Sequence, residues 1–170
     1  MTHSQLCYLT AKHFVKKGSL AMFEVSISLT EKPDALVMNS SGKTLLYEIK
    51  MSHSDFKADF NKEARRTPMF GDKRYYVCPW GIIPINEVPY DWGLYYYKDN
   101  KFYLQKSPSN IKDFSKEGKY EMNKYKYLTY VLINEIICRK RNIIINDRYN
   151  SDQFVFGIDE AIREIDNERR

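Results

Sequence analysis

Long hydrophobic runs are missing from this sequence. No stretch approaches the roughly 18 apolar residues that a membrane-spanning helix needs, so no membrane partner is expected. Met1 to Lys17 mixes polar and apolar side chains without a continuous hydrophobic segment, which argues against a secretory signal. Cysteine is scarce. Cys7, Cys78 and Cys138 are odd in number and far apart. They match neither a disulfide framework nor a paired metal-ligand spacing. They read as reduced, partly buried thiols of a cytoplasmic protein. Internal repeats and low-complexity tracts are absent too, which removes the solenoid and linker classes.

What remains has the make-up of a folded domain. The chain has 170 residues, enough for one domain with a sizeable core. Its 43% hydrophobic and 29% charged content is that of a globular protein rather than a disordered one. The formal net charge of +5 suits a polyanionic partner, though ordinary proteins reach this value as well. The 14 tyrosines could stack on nucleic-acid bases, or equally pack in a core and its rim.

Periodicity gives the order of elements. Ser4 to Lys17 reads as a helix with Leu6, Leu9, His13 and Phe14 near one face, ended by Gly18. Phe23 to Leu29 alternates, with Phe23, Val25, Ile27 and Leu29 on one side, and predicts a half-buried strand. After a turn at residues 31–33, Asp34 opens a second strand, Ala35 to Met38. The turn Asn39-Ser40-Ser41-Gly42 leads into a third, Thr44 to Lys50, which is apolar on both faces until its end. Ser54 looks like the N-cap of a helix over Asp55 to Arg65. Arg74 to Cys78 is a fourth strand, and residues 80–92 an ordered, irregular connection. Gly93 to Tyr97 and Phe102 to Gln105 form a hairpin with Asp99-Asn100 at its tip. Beyond a polar stretch, Lys119 to Arg141 reads as a long helix burying Leu128, Val131, Leu132 and Ile136, and Gln153 to Glu168 as a terminal helix. The sum is an α/β sandwich, a central mixed sheet flanked by helices. Residues 1–105 form its core, and 106–170 a mainly helical extension packed on it.

One constellation carries chemistry. Residues i and i+2 of a strand share a face, so the heads of Glu48 and Lys50 can converge. Charges at the end of an otherwise apolar central strand are costly to bury without a partner. Asp34 starts the preceding strand, and if the two strands are neighbours its carboxylate meets that of Glu48. Two adjacent carboxylates favour a hard divalent cation that keeps several waters, Mg²⁺ above all, with Mn²⁺ as a substitute. Lys50 would then orient a metal-bound water or help deprotonate it. An ordinary Glu–Lys pair at a solvated strand end, with Asp34 capping a turn, is the plain alternative.

Pro33-Asp34 followed by Glu48-Ile49-Lys50 resembles the PD-(D/E)xK nuclease superfamily, the restriction-endonuclease-like fold. More narrowly, Glu48-Ile49-Lys50-Met51-Ser52 with Asp55-Phe56-Lys57-Ala58-Asp59 is similar to the EIKxSxxDFxxD segment of MmcB-like DNA repair proteins. Asp72 to Pro79 and Pro89-Tyr90-Asp91-Trp92-Gly93-Leu94 match later elements of that family. Residues 61–66 depart from it, with Asn61-Lys62-Glu63-Ala64-Arg65-Arg66 where the family often has an aromatic-rich stretch.

The resemblance implies a restriction-endonuclease-like three-layer sandwich and a Mg²⁺-dependent nuclease that hydrolyses phosphodiester bonds in DNA, in repair or processing. RNA is not excluded, and a non-catalytic nucleic-acid-binding module that kept the fold is the alternative. It implies Asp34 and Glu48 as metal ligands, with the Ile49 carbonyl as a further one, and Lys50 as the catalytic lysine. Glu24 would be an additional upstream catalytic glutamate, or a plain exposed strand residue. Ser52, Lys57, Lys62, Arg65 and Arg66 could hold nucleic acid near the site, as could Lys73 and Arg74, or they form a solvated face. Oligomeric state is open, although nucleases that cut both strands often dimerise.

Overall fold

Two apolar faces of one sheet account for most of the described structure. The computed structural model describes residues 1–16, 19–25, 32–39, 43–59, 71–109, 143–146 and 153–156, the last two segments by their backbone. The elements run α1 (His3–Phe14), β1 (Ser19–Phe23), β2 (Ala35–Met38), β3 (Thr44–Ile49), α2 (His53–Asp59), β4 (Lys73–Pro79), a 3-10 turn (Ile85–Glu87), β5 (Trp92–Lys98), β6 (Lys101–Lys106), β7 (Ile143–Asn146) and β8 (Gln153–Phe156). The strands form a single sheet in the order β6-β5-β4-β3-β2-β1-β7-β8. β3 pairs parallel with β4, and β4 parallel with β5. All other pairings are antiparallel, so the sheet is mixed.

Strand alternation sorts the core into two layers. On one face Met22, Leu36, Leu46, Tyr76, Cys78, Trp92 and Leu94 pack with Phe56 of α2. On the other, Ala21, Phe23, Ala35, Val37, Tyr47, Ile49, Tyr75 and Val77 pack with Leu6, Cys7, Tyr8 and Ala11 of α1. The fold is α/β, with a helix against each side of a mixed sheet. Among the described residues, no helix is long and apolar enough to cross a membrane.

The hairpin and β2 to β4 lie where periodicity sets them. Asp99 and Asn100 both take positive φ, 50° and 57°, as a tight two-residue hairpin turn requires. Four expectations shift. Helix α1 begins at His3, because Thr2 and Gln5 form a reciprocal capping box, and ends at Phe14 rather than Lys17. The first strand is Ser19–Phe23, and of the strand expected over Phe23–Leu29, Glu24 and Val25 lie past its end. It is buried on both faces, so Ser-Leu-Ala-Met-Phe carries no alternation to read. Residues 26–30 lie outside the described residues. Helix α2 begins at His53, where the Ser52 hydroxyl accepts the Asp55 amide at 3.1 Å, so Ser52 and not Ser54 is the cap.

The fourth shift lies in the C-terminal part. Residues 153–156, expected to begin a helix, instead form β8, paired with β7. β7 in turn extends the core sheet at β1. Ile143-Ile144-Ile145 and Phe154-Val155-Phe156 are β-branched and aromatic runs, which favour strands. The predicted helix Lys119 to Arg141 lies outside the described residues.

Candidate active site

The parallel neighbours β3 and β4 bring the central charges together. Leu46, Glu48 and Lys50 follow one another on the face covered by α2. Glu48 and Lys50 are each only 2% exposed. The Lys50 Nζ lies 3.4 Å from Glu48 Oε2 and 3.0 Å from Asp59 Oδ1. Asp59 is the last described residue of α2 and is fully buried. Its second oxygen accepts the hydroxyl of Tyr76, which stands beside Glu48 in the ladder, at 3.0 Å.

This environment sets the charge of Lys50. Burial pulls its pKa down, but the nearby carboxylates of Glu48, Asp59 and Asp34 outweigh that pull and hold it above the ordinary lysine value. Lys50 is therefore a cation at neutral pH. Of its two sequence-level roles, orienting a water or an anionic oxygen fits this state, and removing a proton does not.

Asp34 is fixed by backbone geometry. Its Oδ2 accepts the Ile49 amide at 2.8 Å. The β2–β3 register pairs Ala35 with Tyr47. Continued by two residues, it sets Pro33 opposite Ile49. Proline has no N–H to offer the Ile49 carbonyl, so the ladder stops there, and the Asp34 carboxylate accepts the Ile49 amide in place of a backbone oxygen.

Glu24 sits across from Asp34 at the end of β1. Its amide donates to the Asp34 carbonyl at 3.0 Å, and its φ of 52° turns the chain out of the strand. Glu24 Oε1 accepts the Ser4 hydroxyl at 2.8 Å and lies 3.6 Å from His3 Nδ1. The other ring nitrogen, Nε2, is 3.5 Å from Asp34 Oδ2. Asp34, with Cys7 and Glu24 adding to its effect, pushes the His3 pKa up to about 12. The same imidazolium, assisted by the Ser4 hydroxyl, holds Glu24 below the usual carboxylate range. Burial pushes the neighbouring Cys7 thiol up to about 12.

The sequence-chosen residues therefore divide. Asp34, Ile49, Glu48 and Lys50 gather around the end of β3, and Glu24 joins them through Asp34 rather than from a strand face. Ser52 caps α2. Lys57 is spent on Glu87, at 2.6 Å, with the ring of His53 beside it 2.8 Å from the same oxygen. Arg74 is buried, 1% exposed, with its guanidinium over Trp92, so it is not placed to grip phosphate. Lys62, Arg65 and Arg66 lie outside the described residues. Asp59, Tyr76 and His3 were not selected from the sequence. Asp59 had a signal, since it closes the DFxxD segment. Tyr76 had none beyond lying in an aromatic strand. His3 had one only in its i, i+4 spacing from Cys7.

A hard divalent cation suits this donor set. Asp34 and Glu48 supply carboxylate oxygens, and among the described residues Asp34 is anchored through Oδ2.

No family model matches the chain, and no curated protein matches it. Among solved structures its fold is similar to that of the SPO1766 protein of unknown function from Silicibacter pomeroyi, with a TM-score of 0.54 and 15% identity, over 80% of this chain and 88% of that one. Likeness at that identity is a likeness of fold alone.

Proposed function

We propose that this chain is a Mg²⁺-dependent nuclease of the restriction-endonuclease-like class that hydrolyses phosphodiester bonds in DNA. The observation that carries the proposal is the buried, charged Lys50 at the end of a central strand, flanked by Glu48 and by an Asp34 locked onto the Ile49 amide. A lysine costs several kcal/mol to bury and is seldom kept in a core for packing alone. Asp34 and Glu48 would hold the metal, with Mn²⁺ as a substitute. The Ile49 carbonyl is a third donor. In an extended residue the carbonyl lies on the same strand edge as the amide, here the Asp34 edge, where Pro33 offers it no partner.

The bound metal would supply Lewis-acid stabilisation of charge on the phosphate and a more acidic water. Lys50, held protonated, would orient the attacking oxygen and offset developing negative charge. Asp59 and Tyr76 act through Lys50 and are positioning residues. They fix the direction of its ammonium from the helix side.

The test is a cleavage panel of labelled duplex, single-stranded, flap and junction DNA, and of RNA, with Mg²⁺ or Mn²⁺. Wild type is compared with Lys50→Ala and Glu48→Gln, and folding of each variant is checked by circular dichroism. The expected result is metal-dependent cleavage that falls at least about 100-fold in both folded variants, the scale of losing one charge-stabilising group. Equal activity in all three proteins would place the cleavage in a contaminant. Metal-independent DNA binding with no cleavage would favour a binding module that kept the fold.

A further inference from the structure

His3, Cys7 and Glu24 lie beside the proposed nuclease centre but serve no step of it. Their ligand atoms, one imidazole nitrogen, one thiol sulfur and one carboxylate oxygen, all lie within 4.8 Å of one another. The first turns of α1 and the end of β1 create this meeting. His3 and Cys7 are i and i+4 on α1 and share a face of the helix. Glu24 follows directly on β1 and leaves the sheet through its positive φ, which turns it towards the helix start.

We propose that His3, Cys7 and Glu24 form a binding site for a borderline-soft divalent cation of the zinc type, separate from the Mg²⁺ centre at Asp34 and Glu48. Three features support it. The first is spacing. His3 Nδ1 is 3.4 Å from Cys7 Sγ and 3.6 Å from Glu24 Oε1. Tetrahedral zinc with ordinary bond lengths separates neighbouring nitrogen, sulfur and oxygen ligands by about 3.4–3.6 Å. The two edges that meet at His3 Nδ1 already have the length of such a tetrahedron's, and the Cys7–Glu24 edge lies within 4.8 Å.

The second feature is the support behind the ligands. His3 faces Cys7 and Glu24 with Nδ1 and turns Nε2 towards Asp34 Oδ2, 3.5 Å away. A metal-bound histidine commonly gives its other ring N–H to a carboxylate, which fixes its tautomer. The Ser4 hydroxyl does the equivalent for Glu24, donating to Oε1 at 2.8 Å. The third feature is access. The Cys7 side is closed, whereas the His3 side chain is 39% exposed and the Glu24 side chain 27%, so a cation can enter past them. Three protein ligands leave the fourth tetrahedral position to solvent.

Ligand chemistry sets the metal. A thiolate selects zinc-like ions and disfavours Mg²⁺, which wants oxygens. On binding, the cation displaces the Cys7 thiol proton and the imidazolium Nδ1 proton, and both protons pass to solvent. His3 then carries its remaining proton on Nε2, towards Asp34.

Cobalt titration of the reduced, full-length chain tests this. Bound through Cys7, Co²⁺ gives a sulfur-to-metal charge-transfer band that saturates at one equivalent. Zn²⁺ bleaches the band, and a large excess of Mg²⁺ does not. Cys7→Ala removes it, and His3→Gln weakens cobalt binding at least tenfold. Should Cys7→Ala fail to fold, the result of His3→Gln, altered at an exposed first-turn position, decides alone. Glu48→Gln retains the band whether or not the protein cleaves DNA, so this test and that of the nuclease proposal fail separately. A missing band in wild type, a band that survives Cys7→Ala, bleaching by Mg²⁺, or unchanged affinity in His3→Gln would each overturn the proposal.

Discussion

Lys50 Nζ stands 3.0 Å from Asp59 Oδ1, and this contact ties the end of β3 to α2 inside the core. Removing Asp59 leaves a buried ammonium with Glu48 as its remaining close carboxylate, and removes the acceptor of the Tyr76 hydroxyl. Asp59→Ala should therefore destabilise the fold by about 3–5 kcal/mol, the usual cost of stranding one member of a buried pair. Tyr76→Phe removes one hydrogen bond to a charged group and should cost about 1.5–3 kcal/mol. Urea unfolding followed by circular dichroism measures both. Lys57→Ala, which breaks an exposed contact to Glu87, serves as control and should stay near wild type. Similar midpoints for Asp59→Ala and Lys57→Ala would show that the buried contact does not form.

Asp34 allows a cleaner separation of charge from architecture. In Asp34→Asn the amide oxygen can still accept the Ile49 N–H, so the backbone anchor survives while the negative charge goes. The fold should persist, and what stability is lost should come from the charge removed beside His3 and Lys50 rather than from the anchor. Mg²⁺ affinity by isothermal titration should fall more than about tenfold, since even disturbing the groups behind a ligand costs that much. Undiminished affinity would remove Asp34 from the metal ligands.

Much of this site could be read from residue order, and the limits have physical causes. Glu48 and Lys50 share a face because a strand repeats every two residues, and that needs no tertiary information. Asp34 follows from Pro33, which has no N–H with which to extend the ladder, so regular pairing stops beside it. Asp59 is different. Its contact with Lys50 depends on where α2 docks against the sheet, and docking leaves no periodic trace in the eight intervening residues. The misplacement of β1 has a similar origin. Phe23 to Leu29 shows strong alternation, while Ser19–Phe23, covered on both sides, shows none. The role of His3 leaves no trace in the order of residues, because its partners, Glu24 and Asp34, come from two strand ends far along the chain.

Gly93 offers a test of the parallel β4–β5 packing. A Cβ at this position would lie 2.4 Å from Tyr75 Cδ1 and 2.9 Å from the Lys106 carbonyl oxygen. The Tyr75 ring cannot retreat freely, because it stacks on Tyr47 with centroids 5.3 Å apart. Gly93→Ala should cost about 1–3 kcal/mol, as overpacking of a filled core does. Adding Tyr75→Leu should recover only part of the loss, because the Lys106 carbonyl is backbone and cannot be trimmed. Thermal unfolding of the single and double variants measures this. Full recovery would mean that the ring alone sets the limit.

The imidazolium of His3 makes stability depend on pH in a definite direction. Its folded pKa is raised to about 12, first by Asp34 and then by Cys7 and Glu24, against about 6.5 in an unfolded chain. Between those values the folded state binds one proton more than the unfolded state, so stability falls as pH rises. The contribution of His3 is complete below about pH 6.5 and drains away as pH climbs towards the folded value. Glu24 has the opposite limb. Its folded pKa is lowered by His3, so its contribution is present above the unfolded value and is lost as acid titrates the folded carboxylate. Comparing wild type with His3→Gln in urea, with a chelator to exclude metal, isolates the histidine from other titrating groups. The stability advantage of wild type should be larger near about pH 6 than near about pH 9, where an unfolded histidine has already lost its proton. An advantage equal at both values, or larger in base, would mean that His3 is neutral beside Asp34, and that its pKa is not raised by the two carboxylates.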